Sequence, residues 1–99
     1  MIERQGSSNF YVAQVSIYSH GGFMEIGYIW TEEQFSEDNH IVYRVRSLNY
    51  PSSIALIKVN ATEYKIYKSE HQLKLAEELM LFKIAEALLD EYRFKARVL

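Results

Sequence analysis

The feature that most constrains this chain is a C-terminal segment whose pattern predicts a long helix with apolar side chains on too many sides. The apolar residues that crowd about three turns are Leu79, Met80, Leu81, Phe82, Ile84, Ala85, Ala87, Leu88 and Leu89. At about 100° per residue, they leave only a narrow polar strip through Lys83, Glu86 and Asp90. A helix that lies on a sheet needs one apolar stripe, so a further surface is expected to cover this one.

The simplest cover for such a helix is a second copy of the same chain. We therefore predict a homodimer in which the later turns of the helix enter the contact between chains. The predicted interface residues are Leu81, Ala85, Leu88 and Tyr92. A bend near Asp90 would produce the same pattern.

Length and composition limit the classes of function. The 99 residues predict one α+β domain over residues 10–99, preceded by a flexible arm over residues 1–9. The net charge of −2 argues against nucleic acid as a partner, and the absence of cysteine excludes disulfides and thiolate chemistry. No segment approaches the roughly 20 apolar residues of a membrane span, so we expect no membrane partner and a cytoplasmic location.

Alternating apolar residues and turn signals predict an antiparallel sheet. The predicted strands cover residues 10–18, 23–30, 41–50, 54–59 and 64–68. Ser19 to Gly22 supply the tight turn between the first two strands, and Pro51 ends the third.

Two capping-box patterns predict where helices begin. Thr31 with Gln34 predicts a short helical turn between strands 2 and 3, and Ser69 with Gln72 predicts the start of a helix over residues 69–97. The expected fold is therefore α+β: about five antiparallel strands in a meander, followed by one long C-terminal helix packed on the sheet.

The sequence offers no recognisable catalytic or metal site. His20, His40 and His71 lie apart along the chain without the close spacing that metal ligands prefer. Ser19 and His20 are neighbours, but nothing around them resembles a nucleophile elbow. We therefore expect no enzyme activity, no metal and no cofactor.

Two groups of residues are candidates for binding a protein partner. Glu32, Glu33, Glu37 and Asp38 predict an acidic lobe that either faces water or docks into a basic groove. Tyr18, Arg44 and Arg46 belong to a sheet face that a single helix cannot cover, and aromatic residues with arginine are typical of recognition surfaces.

These features favour a small non-enzymatic module that blocks or adapts a larger protein, acting as a homodimer. Small acidic inhibitor, immunity, antitoxin and phage anti-defence proteins share this profile of size and composition. One alternative is an assembly protein whose helix-mediated oligomer is the functional unit. Another is a small-ligand or enzyme site between sheet and helix, although Trp30, Phe82 and Tyr92 are expected to fill that space.

Overall fold

A computed structural model describes the backbone of residues 8–17, 23–37 and 39–98, and the side chains of residues 28–37 and 39–95. The elements are β1 (Ser8–Ile17), β2 (Phe23–Glu37), β3 (His40–Ser47), β4 (Ala55–Asn60), β5 (Tyr64–Lys68) and α1 (Leu75–Val98). The strands are antiparallel and lie in the order β1-β2-β3-β4-β5, and α1 packs across the sheet. The predicted α+β class, with an antiparallel sheet and a C-terminal helix packed on it, is confirmed.

Alternation along the central strands gives the sheet one apolar face. Tyr43 and Val45 of β3 and Ile57 and Val59 of β4 are buried, while Leu56 between the buried positions of β4 is exposed. Because successive side chains of a strand point to opposite faces, every second residue meets the helix. The core of the domain is therefore the layer between this sheet face and α1.

The helix residues predicted to form a dimer interface lie in the domain's own core. Leu81, Ala85 and Leu88 are at most 1% exposed in the single chain, and Tyr92 is partly buried against the same core. The sheet is broad enough to bury Leu81, Ala85 and Leu88 within one chain, so this burial does not favour the predicted interface, which stays a prediction. Leu81, Ala85 and Leu88 leave almost no surface for another copy to contact.

The surplus apolar surface of the helix is real but lies elsewhere. Leu75, Leu79 and Phe82 are 48%, 43% and 52% exposed. Their spacing places them on one side of α1, opposite the buried stripe. We call this the outer helix face.

The predicted helical turn at Thr31 to Gln34 is wrong, because these residues belong to β2. Thr31 pairs with Val45, and Glu32 pairs with Arg44 in the ladder with β3. Thr31 is β-branched and fully buried, which suits a strand. The ladder shifts register between Glu33 and Phe35, so one extra residue is accommodated within the strand.

The helix begins at Leu75, later than the predicted start at Ser69. The Ser69 amide donates to the Ile54 carbonyl at 3.0 Å. This bond extends the pairing of β5 with β4 by one residue beyond Ala55 and Lys68. The Ser69 hydroxyl accepts from the His71 amide at 3.3 Å, a local turn that competes with helix formation. A serine with good capping chemistry is thus used to end a strand.

Other boundaries differ by a few residues. β1 begins at Ser8, so Ser8 and Asn9 of the predicted arm belong to the sheet, while residues 1–7 lie outside the described residues. The predicted turn at residues 19–22 and the candidate Tyr18 also lie outside them. β3 ends at Ser47 instead of Tyr50, because a turn with a Tyr50 N–H to Ser47 carbonyl bond of 3.3 Å follows it.

A matched pair of helix variants tests this assignment of the core. Leu81→Ala should lower the free energy of unfolding by about 2–5 kcal/mol, because it leaves a cavity. Leu79→Ala on the outer helix face should change it by less than about 1 kcal/mol. Urea denaturation measures both values, and equal effects of the two substitutions would contradict the assignment.

Candidate functional site

The sheet face that points away from α1 has no covering layer among the described residues. We call it the open sheet face, since alternation assigns it the positions that do not face the core. Its described members are Tyr28, Trp30, Glu32, Phe35, Glu37, His40, Val42, Arg44, Arg46, Leu56, Lys58, Lys65 and Tyr67. The face is rich in aromatic and basic side chains, a composition that protein recognition surfaces share.

The predicted binding residues Arg44 and Arg46 both lie on this face, but in different settings. The Arg46 guanidinium is 3.8 Å from the Glu32 carboxylate, and both side chains are partly exposed, so this ion pair contributes little to stability. The buried Nε of Arg44 has no hydrogen-bond partner among the described residues. This nitrogen is buried, so it is an unsatisfied donor inside the domain and not a contact point for a partner.

Strand register places basic residues around one exposed leucine. Leu56 pairs with Arg44 on one side and with Tyr67 on the other. Lys58 follows two positions along the same strand and pairs directly with Lys65. Two like charges directly opposite one another destabilise an antiparallel pair, so this arrangement is unfavourable for the fold alone. We call Arg44, Lys58 and Lys65 the basic cluster.

A shallow depression lies beside Leu56, where β4 starts and β5 ends. Its volume is about 310 Å³, and it is lined by Ser53, Ala55, Leu56, Tyr67, Lys68 and Ser69. Leu56 and Tyr67 are 41% and 53% exposed, so apolar surface faces the solvent beside it. The depression is open enough to accept a side chain from another molecule.

The acidic residues do not form the single lobe that was predicted. Glu32 lies on the open sheet face against Arg46, whereas Glu33 pairs with Tyr43 and points to the other face. The Glu37 carboxylate is 3.9 Å from the His40 ring, and Asp38 lies outside the described residues. Glu33 therefore lies on the opposite face from Glu32 and Glu37, and the latter two are five positions apart along β2.

The charge of the open sheet face consequently differs in sign from that of the chain. Its described members include four basic residues, Arg44, Arg46, Lys58 and Lys65, against Glu32 and Glu37. The described part of this face therefore carries an excess of two positive charges, in a chain with a net charge of −2. The predicted basic-groove partner does not suit such a surface.

A buried carboxylate joins the sheet to the start of the helix. One oxygen of Glu77 accepts hydrogen bonds from the Ser47 hydroxyl at 2.5 Å and the Asn49 amide at 2.9 Å. The other oxygen accepts from the Lys74 backbone amide at 2.9 Å. Glu77 is fully buried and is the third residue of α1, so its bond to Lys74 is one half of a capping box.

The surroundings of Glu77 stabilise its charged form. Burial acts to raise the pKa of its carboxyl, but hydrogen bonds from Ser47, Asn49, the Lys74 amide and Tyr50 outweigh burial and leave the pKa below its ordinary value of 4.5. The Tyr50 hydroxyl also lies 2.6 Å from the Gln72 carbonyl. Since it has one proton, it can donate to only one of these two acceptors at a time.

These properties make Glu77 a poor candidate for catalysis. A general base works best when its pKa is near the operating pH, and a lowered pKa makes a carboxylate a weaker base. Its oxygens are occupied by donors from the chain itself, and it is not exposed to solvent. Glu77 therefore has a structural role.

A serine–histidine contact lies nearby that sequence reasoning missed. The Ser52 hydroxyl is 2.8 Å from Nε2 of His71, and the His71 ring stacks on Tyr50 with centroids 4.9 Å apart. A nucleophilic pair also needs a group that orients the base, and no described carboxylate bonds to the second ring nitrogen. The contact instead holds the loop after β3 against the segment before α1.

The structure does not place a ligand site between sheet and helix at the residues considered for one. Phe82 lies on the outer helix face and Trp30 on the open sheet face, so the expectation that they fill that space is wrong. Tyr92 lines a separate depression of about 260 Å³ together with Asn39, Asn60, Ala61 and Thr62. Among the described residues, no group of three acidic or histidine side chains could hold a metal ion.

Comparisons with known proteins add no functional information. No family model matches the chain, and neither a curated protein nor a solved structure is significantly similar to it. Within the part of the chain that the structure describes, no helix is long and apolar enough to cross a membrane.

Replacing Glu77 tests the role of its hydrogen bonds. Because the folded-state pKa lies below the ordinary value of 4.5, this carboxylate stabilises the fold above that pH, and its contribution falls as the pH drops through the lowered folded-state pKa. Glu77→Gln should cost about 2–4 kcal/mol near neutral pH, since the charge-assisted bonds are lost. The difference from wild type should shrink in acid.

Chemical denaturation at several pH values measures this effect. Glu86→Gln, at an exposed position of the same helix, is the matched control and should change stability by less than about 0.5 kcal/mol. A cost of Glu77→Gln that stays constant from neutral pH to strong acid would contradict the role assigned to the carboxylate.

Proposed function

We propose that this protein is a small non-enzymatic binding module that blocks or adapts a larger protein partner through its open sheet face. The observation that carries the proposal is the composition of that face. Tyr28, Leu56 and Tyr67 are each at least 40% exposed there, and arginine and lysine lie between them. Large exposed side chains on an otherwise well-packed domain are typical of a recognition surface.

The rigidity of the supporting sheet favours this surface over a loop. The residues of the face are held by backbone pairing across β2, β3, β4 and β5. A prearranged surface loses little conformational freedom on binding, so more of the contact energy appears as affinity. Inhibitor, immunity, antitoxin or phage anti-defence activity in the cytoplasm is the specific form of the proposal.

Homodimer formation is a separate part of the proposal and uses another surface. The outer helix face presents Leu75, Leu79 and Phe82 in a row of spacing i, i+4 and i+7. Apolar residues in such a row are the means by which two helices pack together. The alternative function, an assembly protein whose oligomer is the working unit, depends on this same row.

Site-specific photo-crosslinking tests the main proposal. A photoreactive phenylalanine analogue in place of Tyr67 should give one discrete heavier adduct in lysate of the source cell, which mass spectrometry identifies. The same analogue in place of Phe94, which is 66% exposed on the helix, is the control and should give no such adduct. No discrete adduct from Tyr67 would contradict binding through the open sheet face.

Substitution on the outer helix face tests self-association. Phe82→Asp should convert a dimer to a folded monomer, because a buried unpaired charge is costly at an interface. Light scattering measures the mass, and circular dichroism checks the fold. Lys83→Asp on the neighbouring position is the control and should leave the dimer intact. A wild-type protein that is monomeric at high concentration would contradict both the dimer and the assembly alternative.

A further inference from the structure

We propose that the part of the open sheet face around Leu56 binds an acidic protein segment that inserts an apolar or aromatic side chain into the adjoining depression. This inference rests on the proposed function and specifies the chemistry of the partner. Two features support it, the basic cluster and the depression beside Tyr67. Both adjoin Leu56 on the same face of the sheet.

Strand geometry sets how close the basic cluster is to Leu56. Arg44 is directly opposite Leu56, Lys58 is two residues along the strand, and Lys65 is on the diagonal. These relations correspond to backbone separations of about 5–8 Å. Three positive charges therefore surround one exposed apolar side chain.

The basic cluster forms no ion pair with the described residues, although Glu32 lies directly opposite Arg44 in the ladder between β2 and β3. Among the described residues, no carboxylate lies within ion-pair distance of Arg44, Lys58 or Lys65. Nearby Lys68 differs, since its ammonium is 3.1 Å from the Glu78 carboxylate. Unpaired like charges on adjacent strands attract anionic groups and repel a basic partner.

The depression supplies the apolar part of the contact. Leu56, Tyr67 and Ala55 line it together with Ser53, Lys68 and Ser69, and most of its lining surface is apolar. Binding energy at protein interfaces concentrates where an anchor side chain fills a pocket near the centre of the contact. Acidic residues beside that anchor would meet the basic cluster.

The arrangement of aromatic rings favours a protein over a single-stranded nucleic acid. Sequence-tolerant binding of single strands relies on successive aromatic faces on which bases stack. Tyr67 is the one aromatic residue among the described residues that adjoin the basic cluster and the depression. Phe35 lies further along the sheet, with its ring edge-on to His40 at a centroid distance of 6.2 Å. Tyr28 and Trp30, like Phe35, belong to β2, and β3 and β4 separate that strand from Tyr67 on β5. The described rings therefore do not form a continuous stacking platform.

Synthetic polymers provide probes of defined chemistry. A fluorescent random copolymer of glutamate and tyrosine should bind the full chain in an anisotropy titration. A copolymer of lysine and tyrosine, which has the same anchor and the opposite charge, should not. Oligothymidylate is the nucleic-acid probe and should bind more weakly than the glutamate–tyrosine copolymer.

Charge reversal locates the binding site on the protein. Lys58→Glu with Lys65→Glu should weaken binding of the glutamate–tyrosine copolymer by about tenfold or more, because attraction becomes repulsion. Lys83→Glu with Lys95→Glu makes the same change in net charge on the helix and should have less than about a threefold effect. Both pairs of lysines are exposed, so both variants should fold.

Three results would overturn this inference. They are an absence of binding to the glutamate–tyrosine copolymer, an equal loss in both double variants, and tighter binding of oligothymidylate. Each can occur while photo-crosslinking at Tyr67 still captures a protein. In that case the open sheet face binds a protein of other chemistry and the proposed function stands. Absence of the crosslinked protein would overturn both proposals.

Discussion

The structure depends on one buried carboxylate, Glu77, which ties the end of β3 to the start of α1. Ser47 and Asn49 donate to it from the sheet side, and the Lys74 amide donates to it from the helix side. Hydrogen bonds to a charged group are about twice as strong as neutral ones, and their loss inside a protein is costly. The position and start of the helix follow from this contact.

The exposed surfaces follow from the same constraint. With its first turn held at the sheet, α1 buries Leu81 and Leu88 and leaves Leu79 and Phe82 in solvent. One helix covers one face, so the aromatic and basic side chains of the opposite face stay accessible. Among the described residues of that face, basic side chains outnumber acidic ones, although the chain as a whole is negative. This charge favours an acidic partner over a basic one.

Much of the architecture could be predicted, because the spacing of apolar residues along the sequence indicates which side chains are buried. The alternation through Tyr43 and Val45 and the change to helical spacing after β5 predicted strands and a helix correctly. The start of the helix could not be predicted, because Ser69 has a side chain suited to capping a helix and Lys74 does not. The capping signal was instead carried by Glu77, through a pattern that lacks its usual first residue.

The candidate surface was only partly predictable, because it is formed by residues that lie on different strands. Arg44 and Arg46 could be identified as candidates from the sequence. Residues 54–59 are apolar except for Lys58, which was the only sign that one side of this strand is exposed to solvent. The basic cluster arises from register between strands, which a single sequence does not contain. The acidic residues suggested a single lobe, but neighbouring positions of a strand point to opposite faces of the sheet, so Glu32 and Glu33 are separated.

Hydrogen exchange at the Lys74 amide tests the central constraint most directly. This amide precedes the helix and has no partner within it, so it would exchange rapidly if the Glu77 carboxylate did not accept its hydrogen bond. We expect exchange nearly as slow as that of core helix amides such as Ile84. Exchange as fast as that of exposed turn residues around Ala61 would contradict the contact on which the fold and its open sheet face depend.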